Sequence, residues 1–378
     1  MSTPTGPDAA PNGSESARHP ALSTRACERF GVRYPLVQTG MGWVSGARLT
    51  AATAAAGGLG ILASATMTLD ELGAAIDKVA SRTSNPFGVN LLPNQPDAAE
   101  RISLIVDRGV RVASFAAAPR SEQVQRLRDA GVVTIVTVGA KRHAQKVAEI
   151  GVSAVIAQGG EGGGHTGSVP TSLLLPEVVD GVAGTDVVVL AAGGFSDGRG
   201  LAAALAWGAD GVAMGTRFLL TAESHVPDHV KDLYLGTPLT GTVVTTAIDG
   251  APQRVIRTAM IDALERSPGL LRFPRAAGNA WRFARQAGVS LPDLARTGVQ
   301  MHKDQELSWS QVALAANAPM MTRASVVDGD VEVGILPTGQ VVGLIDELPT
   351  VAELLERIMD QADGALSRLC GPSPEPST

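Results

Sequence analysis

Residues 187–218 read VVVLAAGGFSDGRGLAAALAWGADGVAMGTRF. A continuous apolar run, Val187–Ala192, ends in a glycine pair, and a small-residue helical stretch, Gly198–Ala206, follows. A second apolar run, Gly211–Met214, then ends in another glycine turn. Neither run alternates apolar with polar residues, the pattern of a parallel strand covered on both faces. Parallel neighbours need a crossover between them, and the helical stretch supplies one.

The same unit recurs toward the N-terminus. Further strand candidates are Leu36–Gln38, Leu59–Ser64, Phe87–Leu92, Val110–Ala116, Val132–Val138 and Ala154–Gln158. Helix-like segments separate them at Ala47–Ala56, Leu69–Arg82, Ala98–Asp107, Ser121–Ala130, Ala140–Ile150 and Leu173–Val182. Eight strands alternating with helices predict an α/β fold, a (β/α)8 TIM barrel. A doubly wound open sheet is the alternative. Residues 222–330 break the pattern with Pro-rich turns and an arginine-rich stretch, and are expected to form a smaller, mostly helical lid inserted after strand 8. The barrel is expected over 25–221 and 331–366, with a helix from Thr350 to about Ala362 completing its wall. Residues 1–24 and 367–378, rich in Pro, Ser and Gly, are expected to be disordered tails.

Composition narrows the partners. The 378 residues carry 31 Lys and Arg against 37 Asp and Glu, a net charge of −6 that argues against nucleic acid. Two cysteines far apart, Cys27 and Cys370, make no disulfide framework, so the expected location is the cytoplasm. The uncharged stretch Leu49–Leu69 holds Gly57, Gly58 and Gly60 and changes pattern midway; it predicts a helix then a buried strand rather than a membrane span. His225 and His229 are separated by Pro227, and no metal site is expected.

Three glycine turns fall where a barrel builds its active site, at the C-terminal ends of strands. Gly193-Gly194 after strand 7 and Gly215-Thr216 after strand 8 suit a phosphate, because glycine lets backbone N–H groups approach closely. Strand 6 ends in QGGEGGGHTG, residues 158–167, with His165 as the imidazole of the loop. Imidazole suits general base work near neutral pH; a turn-capping histidine is the plainer use. Strand 1 ends in Gln38-Thr39-Gly40-Met41-Gly42-Trp43, small enough for a flat ring to lie on. Asn90 is polar among apolar neighbours and needs a partner, in a cofactor or in the backbone.

Together PLVQTGMG, QGGEGGGHTG, AAGGFSDGRG and AMGTRFLLTAES resemble the nitronate monooxygenase (2-nitropropane dioxygenase) family, from about Ala26 to Ile345. The resemblance implies an FMN-binding TIM barrel. It places Gly193, Gly194, Gly215 and Thr216 at the FMN phosphate, and Gln38, Gly40, Met41, Asn90 and Gln158 at the flavin ring. Gly339 and Gln340 match the family's C-terminal Gly-Gln pair near the cofactor, and His165 matches its catalytic base. The stretches QTGMGWVSGARLTAATAAAGGLGILASATMTLDEL and GTVVTTAIDGAPQRVIRT resemble an actinobacterial branch, the flavin-dependent dehydrogenases of steroid C/D-ring catabolism. That branch implies a hydrindane carboxyl-CoA thioester as substrate and a ring double bond as product. His165 would take the α proton while a β-hydride passes to flavin. NAD is one admissible electron acceptor, and a homo-oligomer is allowed. The alternatives are a nitronate monooxygenase using oxygen, an enoyl reductase using NAD(P)H, and a flavin-free binding barrel.

One local feature favours a CoA thioester. Arg254–Arg285 holds seven arginines against Asp262 and Glu265, locally +5 in an acidic chain. Arginine forks suit phosphates, and coenzyme A carries three. Arg254, Arg257 and Arg275 are therefore candidate contacts for its nucleotide, a solvated basic helix face being the alternative. Trp43, with Phe273 and Trp281 of the lid, is a candidate wall for the substrate rings.

Overall fold

The computed structural model describes residues 18–266 and 309–370. Every strand expected for the barrel forms: β1 Leu36–Gln38, β2 Leu59–Ala63, β3 Phe87–Leu91, β4 Val112–Phe115, β5 Val133–Val138, β6 Ala154–Gln158, β8 Val188–Ala192 and β9 Gly211–Met214. β7 is the short segment Gly164–His165. The eight barrel strands pair in parallel in chain order, and β9 returns to β1, with Val37 opposite both Leu59 and Ala213. The sheet is thus closed, and the open-sheet alternative falls.

Two apolar layers explain why the strands show no alternation. Val37, Ile61, Val112, Ile135, Ile156 and Leu190 belong to an inner cluster. Leu36, Leu62, Ala113, Val136, Val155 and Val189, their strand neighbours, pack outward in a cluster shared with the helices. Both faces of each strand are dry, so both sets of positions must be apolar. The Arg25–Phe30 helix adds Ala26 and Phe30 to the inner cluster. It is fixed beside β9 by Arg25, whose Nε and Nη2 each lie 2.9 Å from an Asp210 carboxylate oxygen. That closes the N-terminal end and leaves the opposite mouth for chemistry.

The suspected span resolves into the Ala47–Ala55 helix and β2, and among the described residues no helix is long and apolar enough to cross a membrane. A last helix, Val351–Cys370, packs on the Gly198–Ala206 and Ala47–Ala55 helices and completes the wall. It runs past Ala362, so residues 367–370, expected in a tail, are helical. Residues 18–22, also expected in a tail, are held against this helix by Arg18 on Glu356 and Asp360 and by the His19 N–H on Asp363.

The covering segment, expected to be mostly helical, contains helices Asp228–Leu235, Ala259–Arg266 and Trp309–Val326. It also contains an antiparallel hairpin, β10 Thr242–Thr245 and β11 Gln253–Ile256. β11 pairs in turn with β7 to make a three-stranded sheet.

Candidate active site

His165 is the second residue of β7, and its position is fixed from two sides. From the barrel, Gln158 Nε2 at the end of β6 donates to the His165 carbonyl at 2.7 Å. From the covering segment, Gln253 on β11 pairs with His165 along the ladder, and the Thr166 N–H donates to Pro252 O at 3.1 Å. The imidazole is 65% exposed, and its Nε2 lies 2.8 Å from Asp249 Oδ2, whose side chain is only 8% exposed. Gln253 Nε2 donates to Asp249 Oδ2, and the Ala251 N–H donates to Asp249 Oδ1 at 3.1 Å. Burial, the largest influence, pushes the Asp249 carboxyl up. The hydrogen bond and charge of His165, with the Ala251 and Gln253 donors, outweigh it and leave the carboxyl below its ordinary value. Among the described residues the site is therefore an ionised carboxylate gripping an exposed imidazole.

His165 also lines a cavity of about 300 Å³ with Ala116, Thr137, Val138, Gln158 and Pro252. These residues come from the ends of β4, β5 and β6 and from the hairpin, so the cavity opens at the C-terminal mouth, where barrel sites lie. A smaller cavity of about 160 Å³, lined by Ser196, Arg217, Glu347 and Arg357, shares none of these residues.

The glycine turns meet on one side of the mouth. Gly193 and Gly194 have φ of 95° and 88°, which glycine adopts without strain. A Cβ on Gly193 would lie 3.0 Å from Gly159 O, and one on Gly194 3.6 Å from Glu161 Cβ. Thr216 follows Gly215 at the start of a short turn of helix, and the Gly339 N–H donates to its Oγ1 at 2.8 Å. The next residue, Gln340, donates its N–H to Glu161 O at 2.9 Å. The Gly339-Gln340 pair thus bridges the loop after β6, at Glu161, and the turn after β9, at Thr216. The Glu161 carboxylate itself accepts from the Thr171 N–H and hydroxyl.

The β1 loop faces β3. A Cβ on Gly40 would fall 2.5 Å from Asn90 Cβ, so only glycine fits there. A Cβ on Gly215 would lie 3.5 Å from Met41 Sδ. Asn90 Nδ2 donates to Ser114 O at 3.3 Å, the ordinary backbone partner weighed from the sequence. Gln38 is fully buried and donates through Nε2 to Ser45 Oγ, Ile61 O and Thr39 O. Its Oε1 has no partner among the described residues. Trp43 has φ of 64° and donates its indole N–H to Pro319 O at 2.9 Å, with the Arg323 guanidinium over its ring. It joins the β1 loop to the Trp309–Val326 helix.

The arginines differ in use. Arg254 spends its fork on Gly160 O, 2.8 Å from Nη2, and on Thr242 Oγ1, 3.0 Å from Nη1. It braces the glycine loop against β10. Arg257 forms a partly exposed ion pair with Asp262 at 3.0 Å. Arg275, Phe273 and Trp281 lie outside the described residues. Two residues of the site escaped the sequence: Asp249 and Gln253. Their signal was present, an Asp249-Gly250 turn between the β-branched runs Thr242–Thr246 and Gln253–Ile256, which is hairpin chemistry.

The nitronate monooxygenase family model matches residues 23–103 and 97–361. A Mycobacterium tuberculosis protein named (3aS,4S,5R,7aS)-5-hydroxy-7a-methyl-1-oxo-octahydro-1H-indene-4-carboxyl-CoA dehydrogenase is 56% identical over 338 residues, covering 89% of this chain and 95% of its own. A Rhodococcus jostii protein of the same name is 53% identical, covering 90% and 96%. The solved structure of FabK from Thermotoga maritima superimposes with a TM-score of 0.74 at 32% identity, over 93% of this chain and 99% of that one. A model matched over nearly the whole described barrel, and relatives more than half identical along its length, decide the point. The chain belongs to the nitronate monooxygenase family, flavin-dependent oxidoreductases.

Proposed function

We propose that the protein dehydrogenates a cyclic acyl-CoA of the hydrindane carboxyl-CoA type, with FMN as its resident cofactor. The observation that supports it most is an exposed imidazole, tied to a buried carboxylate, lining a cavity at the barrel mouth. The likeness to the two carboxyl-CoA dehydrogenases over about nine-tenths of the chain sets the substrate class. The chain's residues suit FMN. The turns at Gly193-Gly194 and Gly215-Thr216 would take the phosphate. Gly40 presses its backbone on Asn90, and the unpartnered Gln38 Oε1 is an acceptor for a ring N–H. Met41, Asn90 and Gln158 border the same mouth, and Gly339-Gln340 bridges the loop after β6 and the turn after β9.

Bound FMN supplies the two-electron acceptor that loss of a hydride β to a thioester requires. His165 takes the α proton, made weakly acidic by the thioester carbonyl. Gln158 and the hairpin hold the imidazole in place while it does so. Ala251 and Pro252 wall the cavity from the lid side. Residues 222–330 serve as the substrate-covering domain, with Arg257 and Arg275 at the CoA phosphates and Trp43 beside the rings; Arg254, already bonded within the protein, holds the loop. NAD is the acceptor to test first for reoxidation.

The decisive experiment is anaerobic mixing of FMN-loaded protein with the hydrindane carboxyl-CoA thioester, following loss of the yellow absorbance. Rapid bleaching is expected, and His165→Ala should keep FMN yet bleach about 10²–10⁴-fold more slowly, the usual worth of a general base. Bleaching by propionate-3-nitronate and not by the thioester would overturn the assignment in favour of nitronate oxidation. Replacing Arg257 and Arg275 with Ala should raise KM for the CoA thioester far more than for its pantetheine analogue; equal effects would remove them from the CoA site.

A further inference from the structure

We propose that Asp249, on the β10–β11 hairpin, is a positioning residue that holds His165 as the Nε2–H tautomer, leaving Nδ1 as the atom that accepts the substrate proton. The proposal rests on His165 being the base, and adds which atom acts and what fixes it.

The geometry begins with an unpromising support. His165 sits among six glycines between 159 and 167, and glycine-rich backbone gains the most entropy by moving. Such a loop cannot orient a ring by itself. The hairpin supplies the stiffness at three backbone points. Gln253 and Arg254 pair with His165 and Gly164. The Thr166 N–H donates to Pro252 O. Arg254 Nη2 reaches Gly160 O at 2.8 Å, at the other end of the loop. The fourth point is the side chain, Asp249 Oδ2 at 2.8 Å from His165 Nε2.

That contact selects a tautomer. An ionised carboxylate has no proton to give, so it can only accept. Nε2 must then carry the hydrogen, and a neutral imidazole has a single one, which leaves a lone pair on Nδ1. Gln253 Nε2 donates to the same Asp249 oxygen and stands 3.2 Å from His165 Nε2, where an amide N–H could bond only a bare Nε2; the shorter 2.8 Å carboxylate contact decides for Nε2–H. Two N–H groups thus converge on one carboxylate oxygen, which two donors share without conflict. The opposite tautomer would place a bare Nε2 lone pair against the carboxylate. Asp249 carries this role at 8% exposure, where its charge is screened less than at the surface. The base and its orienting group therefore come from separate parts of the chain, 84 residues apart, and meet only when the lid hairpin docks on the barrel loop.

The test uses FMN-loaded protein labelled with ¹⁵N-histidine, His165→Ala assigning the His165 signals among the six histidines. At alkaline pH the wild type should show a protonated Nε2 and an unprotonated Nδ1. In Asp249→Asn the amide can donate to Nε2, so the pattern should invert or mix. The same variant should lower the rate of flavin reduction about 10²–10⁴-fold with FMN affinity unchanged, the range for displacing a general base. A protonated Nδ1 in the wild type overturns the proposal, whatever the variant does. So does an unaltered tautomer in a folded, FMN-binding Asp249→Asn. The two assignments separate cleanly. A normal reduction rate in His165→Ala beside an Nε2–H signal removes the base and upholds the pairing; a lost rate beside an Nδ1–H signal does the reverse.

Discussion

Asp249 shows at a single residue how a buried charge can be made stable. Burial raises its carboxyl, and the His165, Ala251 and Gln253 contacts lower it further than burial raises it. A folded-state value below the unfolded one means that the ionised carboxylate adds stability above the ordinary value near 3.8. That contribution is lost as pH falls through this value toward the lower folded one. The wild type should accordingly lose Tm steeply on the acid side, and Asp249→Asn should show a shallower decline there. Parallel thermal melts across the acid range check it; coincident slopes would mean that Asp249 is not held ionised. His165 could be singled out as a candidate in the sequence because one imidazole in a glycine loop at a strand end has few structural uses. The Asp249-Gly250 turn could be read as a hairpin, but its pairing with His165, 84 residues away, could not. The setting of Arg254 was hidden for the same reason: charge counting cannot reveal that a guanidinium is already bonded to Gly160 O and Thr242. Its loss should slow flavin reduction equally for the CoA thioester and the pantetheine analogue, by loosening the loop. A selective KM effect on the CoA thioester would restore it as a phosphate contact.

At the scale of elements, legibility followed burial. The barrel strands announce themselves because both faces are dry, and their boundaries differ from expectation by a residue or two at most ends. β7 has two residues in a glycine run and carries no periodicity to read. β10 and β11 expose part of their surface and belong to a small sheet whose third strand is remote in sequence. The final helix could be placed in the wall because only one helix was lacking there, but its fit depends on a contact invisible in sequence. Gly198 opens the Gly198–Ala206 helix directly beneath it, and a Cβ there would stand 2.2 Å from Ile358 O and 2.3 Å from Ala362 N. Both are backbone atoms and cannot swing aside. Gly198→Ala, harmless or helpful in an open helix, should here cost about 1–3 kcal/mol, as overpacking does. Urea unfolding measures it, and a neutral or stabilising result would place the two helices further apart than described.

For the whole molecule, the chain leaves the barrel after β9, forms the β10–β11 hairpin among its described residues, and returns to finish the wall. The returning segment does two jobs in succession: Gly339 and Gln340 bridge the glycine turns after β6 and β9, and Val351–Cys370 then seals the gap between the last and first helices. The N-terminal segment is pinned to that same helix, Arg18 Nη1 donating to the Tyr34 hydroxyl and Tyr34 to Glu356 at 2.6 Å. Closure of the barrel and assembly of the proposed cofactor cradle thus share one stretch of chain. Leu355 tests whether the two are coupled, being fully buried on the helix, with Cδ2 3.0 Å from where a Gly58 Cβ would stand. Leu355→Ala should cost about 2–5 kcal/mol through lost burial and a residual cavity. If closure and cradle are coupled, some of that loss appears as weaker FMN retention below the unfolding transition. Addition of excess FMN should then stabilise both by mass action, but the variant less than the wild type at equal free FMN, because its Kd is higher. Full retention of FMN up to the midpoint of unfolding would show that the wall and the cradle fold independently, and that the return of the chain matters for packing alone.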